Sequence, residues 1–472
     1  MELFTKDDLN AMISAAMMSP NFKVIEYKFD SVYNFGNTKM GRHCRLMVIV
    51  EYPDDVRRTH SFFSKFVPEI EEYKNFVRVN DCFGKEAYFY SHIASIMKTL
   101  LPSEIPLPIP MCYFARGGSR ESVSLQPCPN FEASAIILQD LLPLGYQPMD
   151  MWTLLDLSHC RIVMRALAIF HGGSVLLQQS KSESLEYEGE NEAIILVNES
   201  VFISDEESLS NKILHACSET TASVICQIWP IMYPKERSYN KLLHAIWNSW
   251  KNVFSMLHTV NRHKRVICHG ELCGNNILFA YEREHHGGRK PVDVKFVDMQ
   301  LLRYAPPITD ILMFLHVCTR RMFRHEHLSN LLSYYHIEFV RAVSPKVANK
   351  TLPLEALKTS VEDMREFGLM AAIYLLPKCL AYRPARRSAE FHFSPERFGN
   401  FSSPRESHFS KRYSLNDAEQ YYQNNSQVLF ENQAPRILER MEENRSFKIR
   451  LIEAYEEYLE FIGLWKNPLS SQ

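Results

Sequence analysis

Between Val266 and Gln300 the chain reads VICHGELCGNNILFAYEREHHGGRKPVDVKFVDMQ, which sets a histidine, a carboxylate, an amide and a second carboxylate at the ends of short apolar runs. Ile277 to Tyr281 and Val292 to Val297 are β-branched and apolar, separated by a turn holding Gly287-Gly288 and closed by Pro291. This spacing predicts a hairpin. A hairpin brings its open ends together, so Asn276 and Asp298 should lie within a few ångströms of each other, facing the loop that carries His269 and Glu271. A carboxylate beside an amide oxygen suits Mg²⁺, because a small hard cation takes a few protein oxygens and keeps its other positions for water and phosphates. The chemistry this points to is metal-assisted phosphoryl transfer.

The elements that must position these groups follow from periodicity. Met1 to Met18 reads as a short amphipathic helix. Ile25, Tyr27 and Phe29 alternate with charged residues, and Cys44, Leu46, Val48 and Val50 resume the alternation after a turn holding Gly36 and Gly41, giving two strands. In a phosphate-binding site that turn would lie over the phosphates; as an ordinary hairpin turn it needs no such role. SFFSKF supplies a third strand carrying Lys65, and Phe83, Ala87, Tyr90, Ala94, Met97 and Leu101 mark one face of a helix with Glu86 beside it. Taken singly, Lys65 and Glu86 are surface charges; taken together, in this order and upstream of the histidine loop, they form a pair. Pro106 to Pro110 breaks the helix from short strands at 112–115, 121–126 and 134–138, the last leaving into Gln139-Asp140-Leu141.

The pattern resembles the catalytic and metal loops of kinases, in which H-R-D-L-x-x-x-N carries the catalytic Asp and a metal-binding Asn, and D-F-G carries the second metal ligand. The resemblance is closest to the ecdysteroid kinase-like family, within the choline kinase and aminoglycoside phosphotransferase group. That family reads H-G-D-L-x-x-N-N-I, a hairpin, D-F-Q and a D-L-x-x-F-L helix, where this chain gives HGELCGNNI, DMQ and DILMFL from Asp310. Upstream, Lys65 to Pro68 and Phe83 to Tyr90 match K-x-x-P and F-x-x-E-x-x-x-Y. The resemblance implies an α+β, protein-kinase-like two-lobed fold, with a β-rich nucleotide-binding lobe over 1–140 and a mainly helical catalytic and acceptor-binding lobe over 141–472. It implies ATP and Mg²⁺ as cofactors: Lys65, held by Glu86, on the phosphates; the connector near Leu138 and Asp140 for the adenine; Asn276 and Asp298 for the metal; and Glu271 and His269 in the catalytic loop. Asp310 would brace that loop. The acceptor implied is an ecdysteroid or other steroid-like alcohol, with choline-like amines and foreign compounds as alternatives. One residue departs from the pattern, since Glu271 stands where the family has Asp. Glu keeps the charge and adds a methylene, so an active kinase is expected, and its rival is a kinase-fold protein that binds ligand without turnover. An unrelated α/β scaffold would require Lys65, Glu86 and Asp298 to fall into line by accident.

Composition sets the outer bounds. A chain of 472 residues with 46% hydrophobic residues can bury a large core, and 53 Lys plus Arg against 55 Asp plus Glu call for neither nucleic acid nor an anionic membrane as partner. Eleven scattered cysteines with no C-x-x-C pair, behind a charged start MELFTKDDLN, suggest free thiols and a cytoplasmic location. Cys268 and Cys273 read as small buried groups and lack the companions of a zinc site. No membrane span is expected, and nothing in the sequence sets an oligomeric state. From Asp156 the period is helical and is expected to stop at Gly172-Gly173, making His171 a packing or capping group. Residues 182–211 read as an acidic surface excursion, and Leu242 to Leu257 as a core helix. Thr309 or Asp310 is the expected N-cap of the next helix. Helices are expected over 328–343, 357–376 and 435–464, with 383–413 a long loop or lid.

Overall fold

The computed structural model describes residues 4, 6–17, 21–31, 40–54, 56–117, 131–149, 153–183, 197, 199–258, 262–283, 288–380 and 431–465. The expected strand at 121–126, the loop at 383–413, most of the 182–196 segment and Gly36 lie outside these residues. In the N-terminal part, β1 (Lys23–Ser31), β2 (Arg42–Glu51), β3 (Arg57–Phe66), β4 (Cys112–Arg116) and β5 (Ala135–Gln139) form a five-stranded sheet in the order β1-β2-β3-β5-β4, antiparallel throughout. Successive strand residues face opposite sides, and the pattern of β3 divides accordingly. Phe62 and Phe66 join Leu46, Val48 and Ile137 in a small core closed by Phe4 and by Leu9, Met12 and Ile13 of α1 (Lys6–Met17). Lys65 is thereby turned to the other face.

That other face meets a long helical run. After α2 (Glu71–Val79), helix α3 (Cys82–Tyr88) continues through a π turn (Phe89–Ile93) into α4 (Ala94–Leu100). Phe83, Phe89, Ile93 and Met97 pack there with Ile136 and Leu138 of β5 in the main core. The expected helix is present, with the wider π turn in its middle.

Beyond the connector the chain is mainly helical: α5 (Leu157–Glu183), α6 (Leu209–Ile228), α7 (Lys235–His258), α8 (Ile308–Cys318), α9 (Arg321–Val343), α10 (Pro345–Thr351), α11 (Leu354–Asp363), α12 (Arg365–Leu380), α13 (Ala434–Glu443) and α14 (Arg445–Phe461). Two small sheets interrupt the helices, β10 (Arg303–Ala305) with β7 (Val266–Cys268), and β6 (Gln147–Pro148) with β8 (Ile277–Arg283) and β9 (Arg289–Phe296). Leu157–Ser180 is long and apolar enough to cross a membrane, but 72% of its most apolar window is buried inside the fold, as a core helix requires.

Several expectations are corrected. Helix α5 runs straight through Gly172-Gly173. A Cβ on Gly172 would stand 3.0 Å from that of Ala342, and one on Gly173 would stand 2.7 Å from Cε of Met97. These glycines therefore serve close packing and do not stop the helix. Pro291 sits inside β9, opposite Tyr281 at a register shift, where a missing N–H does no harm to the ladder. Neither Thr309 nor Asp310 caps α8, which starts from Pro307, and the Thr309 hydroxyl donates to the Pro306 carbonyl. The single helices expected at 357–376 and 435–464 are each broken in two, at Met364 and Asn444. Val197, Glu199, Val201 and Phe202 are buried rather than part of a surface excursion.

Candidate active site

The loop after β7 is held by its neighbours before any ligand is considered. Strand β10 pairs with β7, Arg303 opposite Cys268, and α8 then brings Asp310 beneath the loop. One carboxylate oxygen of Asp310 accepts from the His269 N–H at 2.6 Å, and the other accepts from the Gly270 N–H at 3.0 Å. His171 Nε2 lies 3.2 Å from the first of these oxygens, and its Nδ1 lies 2.8 Å from the Tyr335 hydroxyl. Burial opposes ionisation of Asp310, but these partners outweigh it and hold the acid below its ordinary range. Asp310 thus braces the loop. Gly270 adopts φ +85°, and a Cβ there would fall 1.9 Å from the Leu301 carbonyl oxygen, so only glycine fits.

His269 is fully buried and bonded to the backbone on both sides. Its Nε2 lies 3.0 Å from the Val297 carbonyl and its Nδ1 accepts from the Glu271 N–H at 3.3 Å. This pattern requires the neutral Nε2–H tautomer, and burial lowers the histidine's pKa to match. His269 therefore shapes the loop and has no free nitrogen to offer a substrate.

The hairpin delivers the next two groups. Ile277 pairs with Phe296, and the Val297 N–H donates to the Asn276 carbonyl at 3.1 Å, so Asn276 and Asp298 emerge at the same end. The Asn276 amide donates to the Glu271 carbonyl at 2.9 Å, which leaves its side-chain oxygen as the group to offer. Asp298 turns out of the strand at φ +70°. Its Oδ1 accepts from Lys65 Nζ at 2.5 Å, and Lys65 simultaneously donates to Glu86 Oε2 at 2.5 Å and to Gln300 Oε1 at 3.1 Å. Lys65 is only 2% exposed and Glu86 only 1%. Burial works against the Lys65 ammonium, yet Asp298 and Glu86 outweigh it and raise its pKa. Burial pushes the Glu86 acid up, Lys65 pulls it back, and Asp298 adds to the rise. The free oxygen of Glu86 accepts from the Met299 N–H at 3.1 Å, which locks the helix to the backbone just after Asp298.

Glu271 follows His269 and Gly270 on the braced loop, its N–H donating to His269 Nδ1 and its carbonyl accepting from the Asn276 amide. Burial, then Asp298, raise its pKa to about 7, against the pull of Lys378, Arg303 and Lys65. A carboxyl group poised near neutrality suits proton transfer.

The structure brings together Lys65, Glu86, Asn276, Asp298, Glu271 and His269, and treats the two connector residues differently. Leu138 is paired with Phe63 on one side and Cys112 on the other, so its backbone is committed to the sheet. The Asp140 carboxylate accepts from Arg45 Nε at 2.8 Å, from the Ser61 hydroxyl at 2.9 Å and from the Leu142 N–H at 3.3 Å. The carboxylate thereby fastens the connector to β2 and β3. Sequence reasoning missed Arg303 and Glu199. Arg303 donates to the Gly270 carbonyl at 2.7 Å and pairs with Glu199 at 3.0 Å, while Lys85 of α3 reaches Ser200 at 2.7 Å. The 199–202 segment therefore ties the catalytic loop to the helix that carries Glu86.

The model of the ecdysteroid kinase-like family matches residues 40–345, a span that takes in Lys65, Glu86, the catalytic loop, the hairpin and Asp310. The chain belongs to the ecdysteroid kinase-like family. A solved structure, the ethanolamine kinase Pv091845 of Plasmodium vivax, is similar at 10% identity and a TM-score of 0.35, with 78% of this chain and 80% of that one covered. No curated protein matches. Membership in the family, with the strand lysine and helix glutamate facing a loop-borne aspartate across the sheet and the helical region, makes this the α+β, two-lobed fold of a small-molecule kinase.

Proposed function

We propose that the protein is an ATP-dependent, Mg²⁺-requiring kinase that transfers the γ-phosphoryl group to a hydroxyl of a small organic acceptor, an ecdysteroid or another steroid-like alcohol. One observation carries this reading: Lys65 is buried between Glu86 and Asp298, with the Glu271 loop braced beside them. In phosphoryl transfer such a lysine grips phosphate oxygens and such a glutamate keeps it aimed.

The donor set fits the metal. Asn276 and Asp298 offer hard oxygens from one end of the hairpin, the Asn276 amide nitrogen being already used on the loop, and hard oxygens are what Mg²⁺ takes. When bound there, Mg²⁺ would neutralise charge on the phosphates. The chain's own residues do the rest. Lys65, released in part from Asp298, turns to the phosphates while Glu86 keeps it in line. Glu271 takes the proton of the acceptor hydroxyl, and His269, Gly270, Arg303 and Asp310 hold Glu271 at a fixed height. The free thiols of the described cysteines suit the reducing cytoplasm.

The rival reading, binding without turnover, draws on Glu271 standing where the family has Asp. Positioning and charge carry most of this chemistry and a general base contributes about 10²–10⁴-fold, so the extra methylene slows the enzyme without silencing it. Incubating the protein with Mg²⁺, ATP and a hydroxylated metabolite library, and reading a mass gain of one phosphate, separates the two. A product that disappears in Asp298→Asn supports the kinase, and nucleotide binding without any product supports the rival.

A further inference from the structure

The face of the N-terminal sheet that carries Lys65 also carries an imidazole. In the antiparallel register of β2 with β3, His43 stands opposite Lys65, Arg45 opposite Phe63 and Met47 opposite Ser61. Directly opposed residues share a face, so His43, Arg45, Ser61, Phe63 and Lys65 line one side of the sheet, away from the small core of Phe62 and Phe66. The two sides are covered unequally. Leu46, Val48, Phe62 and Phe66 are buried on the core side, whereas His43, Arg45, Ser61 and Phe63 are each partly covered on the other. This half-covered strip runs between two fixed ends. At one, Arg45 and Ser61 hold the Asp140 carboxylate of the connector; at the other, Lys65 holds Glu86 and Asp298.

His43 belongs to the lysine end. A Cβ on Gly41 would stand 3.0 Å from Cε of Lys65 and 3.3 Å from Nε2 of His43, so one methyl-sized point lies in contact with the lysine stem and the imidazole nitrogen together. Phe63 meets the same ring edge-on, with 5.0 Å between centres, and fixes its plane. Burial and the neighbouring Lys65 lower the His43 pKa to about 4, so the ring is neutral at pH 7 and carries one N–H donor. Such a donor meets a phosphate oxygen without setting a second full charge against the lysine ammonium. We infer that His43 is a second phosphate-binding residue: its Nε2–H donates to an oxygen of the nucleotide's phosphate chain next to the one that Lys65 grips. This rests on the reading of Lys65 as the phosphate lysine and adds to it a contact that the adenosine part of the nucleotide does not share.

The test uses the full-length wild type, His43→Leu and His43→Gln. A non-hydrolysable ATP analogue and ADP, each with Mg²⁺, are titrated by calorimetry, and adenosine is followed by saturation-transfer NMR, which detects weak ligands. Loss of one hydrogen bond to a charged group weakens binding on the order of ten- to a hundredfold. His43→Leu should lose that factor for the ATP analogue and for ADP while keeping the wild-type response to adenosine. His43→Gln, whose amide retains an N–H donor, should recover most of it. In the wild type itself, where folding is not in question, the side-chain nitrogen resonances of His43 should shift with ADP and stay in place with adenosine. Unweakened binding of both nucleotides to His43→Leu, an equal loss for adenosine, a glutamine variant no better than the leucine one, or His43 resonances indifferent to ADP overturns the inference and leaves the phosphate lysine standing. A wild type that binds neither nucleotide fells the Lys65 reading itself, and the inference with it.

Discussion

Replacing Lys65 by methionine removes a charge at nearly constant bulk and leaves two acids behind. Glu86 and Asp298, 1% and 9% exposed, both sit 2.5 Å from the lysine nitrogen. Deleting one member of a buried ion pair costs about 3–5 kcal/mol because the other charge is left without compensation, and here two acids lose the same partner, so the upper end applies. At roughly 1 °C per kcal/mol for a chain of 472 residues, the melting temperature should fall by about 5 °C at pH 8. The sign of the pH dependence follows from the acids. Burial already raises the pKa of Glu86. Without Lys65 it rises further, above its unfolded value, so the variant's stability is fully present below the unfolded pKa of about 4.5 and is lost as pH rises through the folded pKa. The gap between wild type and variant should therefore be small near pH 5 and widen toward pH 8, as read by melting curves across that range. Lys65→Met/Glu86→Gln, with one acid neutralised, should recover part of the loss and flatten the profile. A variant as stable as the wild type at pH 8, or a loss equal at pH 5 and pH 8, would refute the ion-pair account.

Other consequences are narrower. Gly270→Ala places a Cβ where the Leu301 carbonyl already stands, at a φ that costs an ordinary residue about 1–2 kcal/mol on its own; melting should drop and turnover fall together, and an unchanged melting curve would show that the loop is less constrained than described. Asp310→Asn can keep only one of its two backbone amide bonds, at about 2–3 kcal/mol for the charged bond lost. A loop displaced by about 1 Å loses roughly a hundredfold in rate, so kcat should fall with acceptor KM little changed, and a reversed split would argue against a positioning role. His43 is lowered to about 4 by burial and by Lys65. It therefore takes up its proton in the unfolded chain first, and its contribution is lost as pH falls from about 6.5 through 4, on the order of 3 kcal/mol. His43→Leu should remove that share of acid sensitivity in urea titrations at pH 7 and pH 4.5.

Much of this arrangement is legible in the sequence for a physical reason. The alternation in SFFSKF turns Lys65 away from Phe62 and Phe66, helical spacing sets Glu86 beside the buried face of Phe83 and Tyr90, and a hairpin must bring its ends together. Each of these is a local rule. What was missed depends on distant partners. Gly172 and Gly173 carry the signature of a helix end, but their smallness serves the approach of Ala342 and Met97. Glu199 lies in an acidic stretch that reads as solvated, and only the folded chain shows Arg303 waiting for it. The Asp140 carboxylate accepts from Arg45 and Ser61, from strands far upstream, partners that no local rule could supply. The bracing role of Asp310 was legible only through the family resemblance, and the side-chain cap expected at Thr309 or Asp310 is absent, the helix starting from Pro307.

The claim on which the rest depends is that Lys65, Asn276 and Asp298 form one site for a metal-bound nucleotide. Calorimetric titration of a non-hydrolysable ATP analogue, with and without Mg²⁺, into wild type and Asp298→Asn tests it without knowledge of the acceptor. The account predicts that Mg²⁺ tightens nucleotide binding in the wild type and that this gain vanishes in the variant. Binding that ignores Mg²⁺, or a gain that survives in Asp298→Asn, would contradict it.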